Sequence, residues 1–217
     1  MAVPVTSTRS ATALFVAVEG PTGAGKSTLA GRLATALDAI LVSDPFEDNP
    51  FLALLLTSIQ PTEALALRVE VTFLALRVAQ LRQVGDLLAA GRSVVADWAL
   101  LKQPIFAAGT LPSADAARIS ACTQVWAEAL PSPDVLIGLS GPPAVLLQRV
   151  RDRGRAMEST LATGALARLS KAFESAYERW PAALFRRDAA SFDALDDRHL
   201  TELVAEIGQF TTLMEVP

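Results

Sequence analysis

The stretch LFVAVEGPTGAGKSTLA, residues 14–30, decides the fold of this 217-residue chain. Its first five residues form an apolar run typical of a buried strand, and residues 26–37 have the composition of a helix. Between them the pattern GxxxxGK[ST] supplies glycines where a backbone must wrap closely around an anion. Amides at the start of the following helix point at that anion with the positive end of the helix dipole. The order of strand, loop and helix therefore predicts a phosphate-binding loop, or P-loop.

The residues of this loop predict a bound nucleoside triphosphate together with Mg²⁺. Lys26 is expected to reach the outer phosphates, and Ser27 is expected to bind the metal ion. We assign the nucleotide site to Gly20, Gly23, Ala24, Gly25, Lys26, Ser27 and Thr28.

Composition and charge limit the kinds of partner. The chain is 51% hydrophobic, which is enough for a sizeable core, and its length favours one domain. We divide it into a flexible lead-in, residues 1–13, and a single domain, residues 14–217. A net charge of −4 and a pI near 5.1 give no general attraction for nucleic acid, so a small anionic ligand is favoured.

Two further features bear on location. The N-terminal residues carry one arginine ahead of a short apolar run that ends at Glu19, which is neither a signal peptide nor a membrane span. Cys122 is the single cysteine, so an internal disulfide is excluded, and we expect its thiol to be buried in an apolar helix. Both features are typical of a protein of the reducing cytoplasm.

The rest of the chain alternates between short apolar runs and longer helical patterns. Strand candidates are residues 39–42, 93–97, 134–140 and, more weakly, 184–189. Helical patterns cover residues 61–90, a stretch that ends near Trp126, a segment that ends near Arg153, and residues 161–180 and 197–210. Repeated βα units with buried strands predict an α/β fold with a parallel sheet covered on both faces.

Ligands of such sheets bind at the carboxyl ends of the strands, so polar residues there are the first candidates for a site. Asp44 follows the second strand candidate, and Asp97 ends the third. An arginine cluster follows the fourth and comprises Arg149, Arg151, Arg153 and Arg155.

The arginine cluster is interrupted by Gly154, which breaks the helix and predicts a hinged lid. Guanidinium groups on a lid are suited to neutralise the oxygens of a transferring phosphoryl group. The alternative is a solvated helix face, on which the arginines pair with Asp152 and Glu158.

Several segments together resemble a known family. They are VAVEGPTGAGKSTLA, SDPFEDNPFL, SVVADWALLKQPIFA, PDVLIGLS and RVRDRGRAMES, and the resemblance covers about residues 14–210. In order and spacing they are similar to the bacterial deoxynucleoside kinases, particularly the deoxyguanosine/deoxyadenosine kinase branch. The resemblance implies a five-stranded parallel sheet, usually a homodimer, and transfer of the ATP γ-phosphate to the 5′-hydroxyl of a deoxynucleoside in nucleotide salvage, with a purine favoured.

The resemblance also implies roles for individual residues. Asp44 falls where the family has a glutamate that removes the proton from the 5′-hydroxyl, although Asp before Pro45 is also a common turn residue. The catalytic set implied is Asp44, Lys26, Arg151 and Arg153. Nucleotide contacts from the lid are assigned to Arg149, Arg153 and Arg155. The substrate set implied is Asp44, Arg68, Glu70, Arg77, Asp97, Trp98 and Glu158, and Asp97 is a further candidate for contact with Mg²⁺ through water.

Some positions depart from the family pattern. Gapless comparison places Arg68 where relatives carry a glutamine that reads the base, and Glu70 is then the neighbour expected to supply an acceptor. Leu56 stands at the position of a tyrosine that meets the sugar, and Trp98 replaces an arginine or tyrosine. Arg77 and Lys102 match, so the phosphate machinery is retained and altered nucleoside specificity is expected.

Two other functions stay open on the sequence. A nucleoside monophosphate kinase of the thymidylate kinase type would need a basic pair for the acceptor phosphate, which Arg68 and Arg77 would supply. A non-catalytic ATP-binding regulatory subunit would have little use for an arginine lid. The helices at residues 61–90 and 113–129 carry more apolar residues than one sheet face requires, which also favours a homodimer.

Overall fold

A parallel sheet of five strands forms the centre of this computed structural model, which describes residues 13–154 and 162–214. The strands are β1 (Phe15–Glu19), β2 (Ile40–Val42), β3 (Val94–Ala96), β4 (Val135–Ser140) and β5 (Ala183–Asp188). They lie in the order β2-β3-β1-β4-β5, and each neighbouring pair is parallel. The P-loop therefore leaves the sheet at the centre of its carboxyl edge, and the predicted parallel sheet is confirmed.

Helices cover both faces of the sheet. They are α1 (Lys26–Ala36), α2 (Leu52–Thr57), α3 (Glu63–Ala89), α4 (Lys102–Thr110), α5 (Ser113–Ala127), α6 (Pro143–Arg153), α7 (Thr163–Glu178) and α8 (Asp197–Met214). Successive side chains of β1 alternate between the faces, as a strand requires. Val16 and Val18 share a buried cluster with α1 and α8, whereas Phe15 packs with α3 and Ala17 with α7.

Two helix boundaries differ from the sequence prediction. The helical stretch that ends near Trp126 is two helices, because Pro112 disfavours helical geometry at Leu111, which has φ −111° and ψ 156°. The short helix α2 was not predicted, and none of its residues is buried. A helix of six residues with no buried face has no hydrophobic periodicity from which it could be predicted.

Some predictions about the chain ends and the surface were also tested. The thiol of Cys122 is exposed, so the expectation of a buried cysteine was wrong: the residue lies on the outer side of α5. Residues 1–12 of the predicted lead-in lie outside the described residues, and Ala13 is buried. None of the helices in the described ranges has the length and apolar content needed to cross a bilayer.

Candidate active site

The P-loop curves around the ammonium group of its own lysine. Lys26 Nζ donates to the carbonyl oxygens of Gly20 at 2.7 Å and Pro21 at 3.2 Å. Burial lowers the pKa of Lys26 to about 8, with the charge of Lys102 acting in the same direction and nearby carboxylates, Glu19 first, opposing it. Lys26 is therefore held as a partly buried cation at the start of α1, where the loop residues assigned to the nucleotide converge.

Gly23 fixes the contact between the P-loop and α6. It has φ +86°, and a Cβ there would lie 2.4 Å from the carbonyl oxygen of Leu146 and 3.0 Å from a methyl group of Val150. Both the conformation and the close approach therefore require glycine. This packing holds the helix that carries the arginine cluster against the loop.

Asp97 connects three strand ends. Its Oδ2 accepts a hydrogen bond from Ser27 Oγ at 2.5 Å, and its Oδ1 accepts one from the backbone N–H of Asp44 at 2.6 Å. The structure thus brings together the predicted residues that follow β1, β2 and β3. These residues meet because β1 and β2 both pair in parallel with β3, so the carboxyl ends of the three strands lie side by side at one edge of the sheet.

The carboxylate of Asp44 lies between two buried cations. Oδ1 accepts from Arg77 Nη2 at 3.1 Å and from Nε at 3.3 Å, and Oδ2 accepts from Lys102 Nζ at 2.6 Å. Burial alone would raise the pKa of Asp44, but the charges of Lys102 and Arg77 outweigh it and lower the pKa to about 2. Asp44 is therefore an ionised carboxylate at neutral pH.

A polar chain continues from Arg77 along the buried face of α3 toward its N-terminal half. Arg77 Nη1 donates to Gln103 Oε1 at 2.5 Å, and Gln103 Nε2 donates to Glu70 Oε2 at 2.9 Å. The other carboxylate oxygen of Glu70 accepts from Thr110 Oγ1 at 2.9 Å. Burial raises the pKa of Glu70. Gln103 and Thr110 were not predicted as site residues, because nothing in their own sequence context marks them.

Glu19, at the end of β1, is a further buried carboxylate that was not assigned to the site. Its two oxygens accept from the backbone N–H groups of Gly20 at 3.1 Å and Ala99 at 2.7 Å, and burial raises its pKa. Its carbonyl oxygen accepts from the hydroxyl of Tyr177 at 2.8 Å. Glu19 joins the P-loop to the segment that follows β3. The sequence signal was present, since an acidic residue ends an otherwise apolar strand that is buried on both faces.

Two predicted substrate residues do not join this polar chain. Arg68 is exposed, and its guanidinium lies 6.0 Å from the ring centroid of Phe51. Residues two apart on a helix lie about 200° apart around its axis, so Arg68 cannot share the buried face of Glu70. Trp98 packs in the core with a relative exposure of 1%, and the Arg77 guanidinium lies 5.9 Å from its ring centroid. The structure thus places Arg68 on the surface and Trp98 in the core beside Arg77, and their assigned roles in substrate binding stay predictions.

The arginine cluster is described only in part. Arg149 Nη2 donates to the carbonyl oxygen of Ala189 at 2.6 Å, which ties the middle of α6 to the end of β5. Arg151 and Arg153 are exposed in the last turn of α6, and Gly154 follows with φ +68°. Arg155 and Glu158 lie outside the described residues, so their assigned roles stay predictions.

Comparisons with known proteins identify the family of the chain. A family model described as deoxynucleoside kinase matches residues 16–212. The chain is 32% identical to the deoxyguanosine kinase of Bacillus subtilis over 169 residues, which cover 77% of this chain and 80% of that protein. It is 28% identical to the deoxyadenosine/deoxycytidine kinase of the same organism over 149 residues, or 66% and 67% of the two chains.

Solved structures show the same fold. The deoxyadenosine kinase from M. mycoides, solved with the products dCMP and a flexible dCDP bound, matches 90% of this chain and 100% of its own with a TM-score of 0.77 and 22% identity. A structure of that enzyme with bound dATP matches with a TM-score of 0.74 and 24% identity, over 90% and 99% of the two chains.

Proposed function

Because the chain belongs to the deoxynucleoside kinase family, we propose that it transfers the γ-phosphate of ATP, bound with Mg²⁺, to the 5′-hydroxyl of a purine deoxynucleoside. The products are ADP and the deoxynucleoside monophosphate. The observation that carries the proposal is the pair of hydrogen bonds from Asp97 to Ser27 and to the backbone of Asp44. This pair joins the phosphate loop to the carboxylate that faces the acceptor.

The donor half of the reaction uses the P-loop. Its backbone amides and Lys26 bind the outer phosphates, and a partly buried ammonium is well suited to the charge that spreads over the transferring group. Ser27 Oγ and Asp97 Oδ2 are hard oxygen donors 2.5 Å apart, and with the nucleotide phosphates they fit the few protein ligands that Mg²⁺ takes. When bound there, the metal ion neutralises phosphate charge.

The acceptor half of the reaction uses Asp44. An ionised carboxylate can accept a hydrogen bond from the 5′-hydroxyl, orient its oxygen toward the γ-phosphorus and take the proton as the new P–O bond forms. The low pKa of Asp44 makes it a weak base while Arg77 and Lys102 both contact it. A substrate hydroxyl that displaces one of these two contacts therefore increases the basicity of the carboxylate. Aspartate is one methylene shorter than the glutamate of relatives, and Lys102 and Arg77 fix it in place.

The monophosphate kinase alternative loses its main support. It needed Arg68 and Arg77 as a phosphate clamp, but Arg68 is exposed and Arg77 is engaged with Asp44 and Gln103. The regulatory alternative is disfavoured by the assembled contacts of Lys26 and Asp44. A homodimer, a cytoplasmic location and a role in nucleotide salvage remain parts of the proposal.

A substrate panel tests this function directly. The purified chain is incubated with ATP and Mg²⁺ and, separately, with the four deoxynucleosides and their monophosphates, and products are identified by mass. We expect a monophosphate product from a purine deoxynucleoside and near-complete loss of turnover in Lys26→Ala, since this variant removes charge stabilisation of the transition state. Phosphorylation of monophosphates alone, or no product from any acceptor, would overturn the proposal.

A further inference from the structure

Glu19 places a fully buried carboxylate between the two halves of the active site. Its relative exposure is 0%, and it ends β1 directly before the P-loop. Oε1 accepts from the backbone N–H of Gly20 at 3.1 Å, and Oε2 accepts from the backbone N–H of Ala99 at 2.7 Å. A buried carboxylate is costly unless it has partners, and neither phosphate binding nor proton removal gives Glu19 a direct part. Its role must therefore be sought in the residues that it holds.

One oxygen of Glu19 holds the donor side of the site. Gly20 donates its N–H to this oxygen, and its carbonyl oxygen accepts from Lys26 Nζ at 2.7 Å. Gly20 also packs tightly against β4, since a Cβ on it would lie 2.5 Å from the carbonyl oxygen of Leu139. The position of the Lys26 ammonium therefore depends on the carboxylate of Glu19 through a single residue.

The other oxygen of Glu19 holds the acceptor side. Ala99 donates its N–H to this oxygen, and its carbonyl oxygen accepts from the N–H of Lys102 at 3.1 Å in the turn that starts α4. Lys102 Nζ then donates to Asp44 Oδ2 at 2.6 Å. Glu19 therefore fixes the turn from which a cation reaches the carboxylate that faces the acceptor.

Glu19 also carries a charge that the site requires. Burial raises its pKa, and the charges of Lys102 and then Lys26 oppose that rise. In both described hydrogen bonds its carboxylate is the acceptor, which the ionised form satisfies. Tyr177, from α7, donates to the carbonyl oxygen of Glu19 and not to its carboxylate.

The charge of Glu19 acts on the ammonium of Lys26. Burial lowers the pKa of Lys26 to about 8, and the charge of Lys102 acts in the same direction. Three carboxylates oppose this effect, and Glu19 comes before Asp44 and Asp97. Only the cationic form of Lys26 neutralises phosphate charge, so loss of the Glu19 charge would leave the lysine neutral at a lower pH.

We infer that Glu19 is a positioning residue, which fixes the P-loop and the start of α4 in one arrangement and keeps Lys26 charged for phosphate binding. The inference rests on the proposed function and adds to it a residue that touches neither ATP nor the nucleoside. Position and charge are separable by substitution, because glutamine keeps the length without the charge and aspartate keeps the charge on a shorter side chain.

Glu19→Gln tests the charge. Its amide has a single acceptor oxygen, so one of the two backbone N–H groups loses its partner. We expect kcat to fall by roughly a hundredfold and the KM for ATP to rise by roughly tenfold. The alkaline limb of kcat/KM for ATP is the diagnostic readout, since it reports groups of the free enzyme. The wild type should keep about half of its maximal kcat/KM at pH 8, and Glu19→Gln should keep less, because the pKa of Lys26 falls further.

Glu19→Asp tests the position and stays informative if Glu19→Gln does not fold. The shorter side chain cannot keep both backbone contacts, so kcat should fall by roughly tenfold while the alkaline limb stays at the wild-type pH. Glu202→Gln, an exposed change on α8, is the matched control and should keep the wild-type kcat, KM and pH profile. A merely structural role would lower the midpoint of urea unfolding but leave the kcat of Glu19→Asp and the alkaline limb of Glu19→Gln at their wild-type values.

Calorimetric titration with ATP and Mg²⁺ gives a readout that needs no acceptor. Affinity for ATP should weaken above about pH 8 in the wild type and from a lower pH in Glu19→Gln. The same pH dependence in both proteins, or wild-type kcat in Glu19→Asp, would overturn the inference and leave the kinase activity standing. If ATP binding shows the expected pH dependence but the wild type phosphorylates no deoxynucleoside, the proposed function alone is overturned.

Discussion

The carboxylate of Asp44 accepts hydrogen bonds from two cations, Arg77 and Lys102. The side chains of Arg77 and Lys102 are 3% and 6% exposed, so solvent does little to compensate their charges. Removing one partner of a buried ion pair costs far more than the pair contributes, since it leaves an uncompensated charge. We therefore expect a change at Asp44 to affect both turnover and stability, and the two effects must be measured separately.

Asp44→Asn should lower kcat by roughly 10²–10⁴, the contribution of a positioned general base, and should leave the KM for ATP nearly unchanged. The variant should also lower the free energy of unfolding by about 3–5 kcal/mol, because Arg77 and Lys102 lose their counter-charge. Steady-state kinetics and urea unfolding on the same preparation check both. The exposed Asp48→Asn is the control, and wild-type turnover in Asp44→Asn would place proton removal elsewhere.

The raised pKa of Glu70 predicts a pH dependence of stability. Burial raises the pKa above its ordinary value of 4.5, so the folded state keeps a proton that the unfolded state has lost. The free energy of unfolding therefore falls as pH rises from about 4.5 through the folded-state pKa, and it is not lost on acidification. Glu70→Gln has no such proton, so urea midpoints measured across this pH range should fall more in the wild type than in the variant. Parallel midpoints would contradict the prediction.

Residues within a contiguous motif were predictable, and residues assembled across helices were not. Lys26 and Ser27 follow from the loop pattern, and Asp97 follows from its place at a strand end. Glu70 and Gln103 meet because α3 packs beside α4, and a comparison of sequences along the chain carries no information on which face of a helix a residue occupies.

The contact between the P-loop and α6 leads to a prediction at the level of elements. Gly23→Ala places a Cβ 2.4 Å from the carbonyl oxygen of Leu146 at a φ of +86°, so the loop must move or α6 must shift. We expect a large rise in the KM for ATP and a lower midpoint of thermal unfolding, because the loop amides lose their arrangement.

Gly31→Ala is the matched control for Gly23→Ala. Gly31 lies within α1, and a Cβ there meets nothing within 4 Å. This change should stabilise the chain by roughly 0.5–1 kcal/mol and leave the KM for ATP unchanged, since alanine is the better residue inside a helix. Equal effects of the two substitutions would show that α6 does not constrain the loop.

Elements with a periodic pattern and a capping residue were predicted well, and α3 is the example. Thr62 Oγ1 accepts from the N–H of Leu65 at 3.2 Å and starts a helix whose predicted bounds, 61–90, are nearly those observed. Pro112 divides the following stretch because it disfavours helical geometry at Leu111, and the short helix α2 has no buried residue; hydrophobic periodicity reports neither feature.

At the scale of the whole molecule, α3 and α5 leave an apolar surface that a second copy is expected to cover. Val71 is 50% exposed and Val125 is 68% exposed, and the two helices pack side by side. We expect a homodimer at micromolar concentration, with a mass by light scattering about twice 22.9 kDa. Val125→Arg should give a monomer, whereas Leu195→Arg, at a residue 69% exposed outside these helices, should not. A monomeric wild type would contradict the prediction.

The hydrogen bond that the Tyr177 hydroxyl donates to the carbonyl oxygen at the end of β1 makes this residue an optical reporter of unfolding. Tyr177 is the single tyrosine in the sequence, so every tyrosinate signal in the near ultraviolet comes from one phenol beneath the P-loop. Burial raises the pKa of this phenol far above its ordinary value of 10.0, with the charge of Glu19 adding to the effect. On alkaline titration, tyrosinate absorbance should therefore not increase while the sheet is intact. It should rise at the same pH at which the far-ultraviolet circular dichroism of the folded chain is lost.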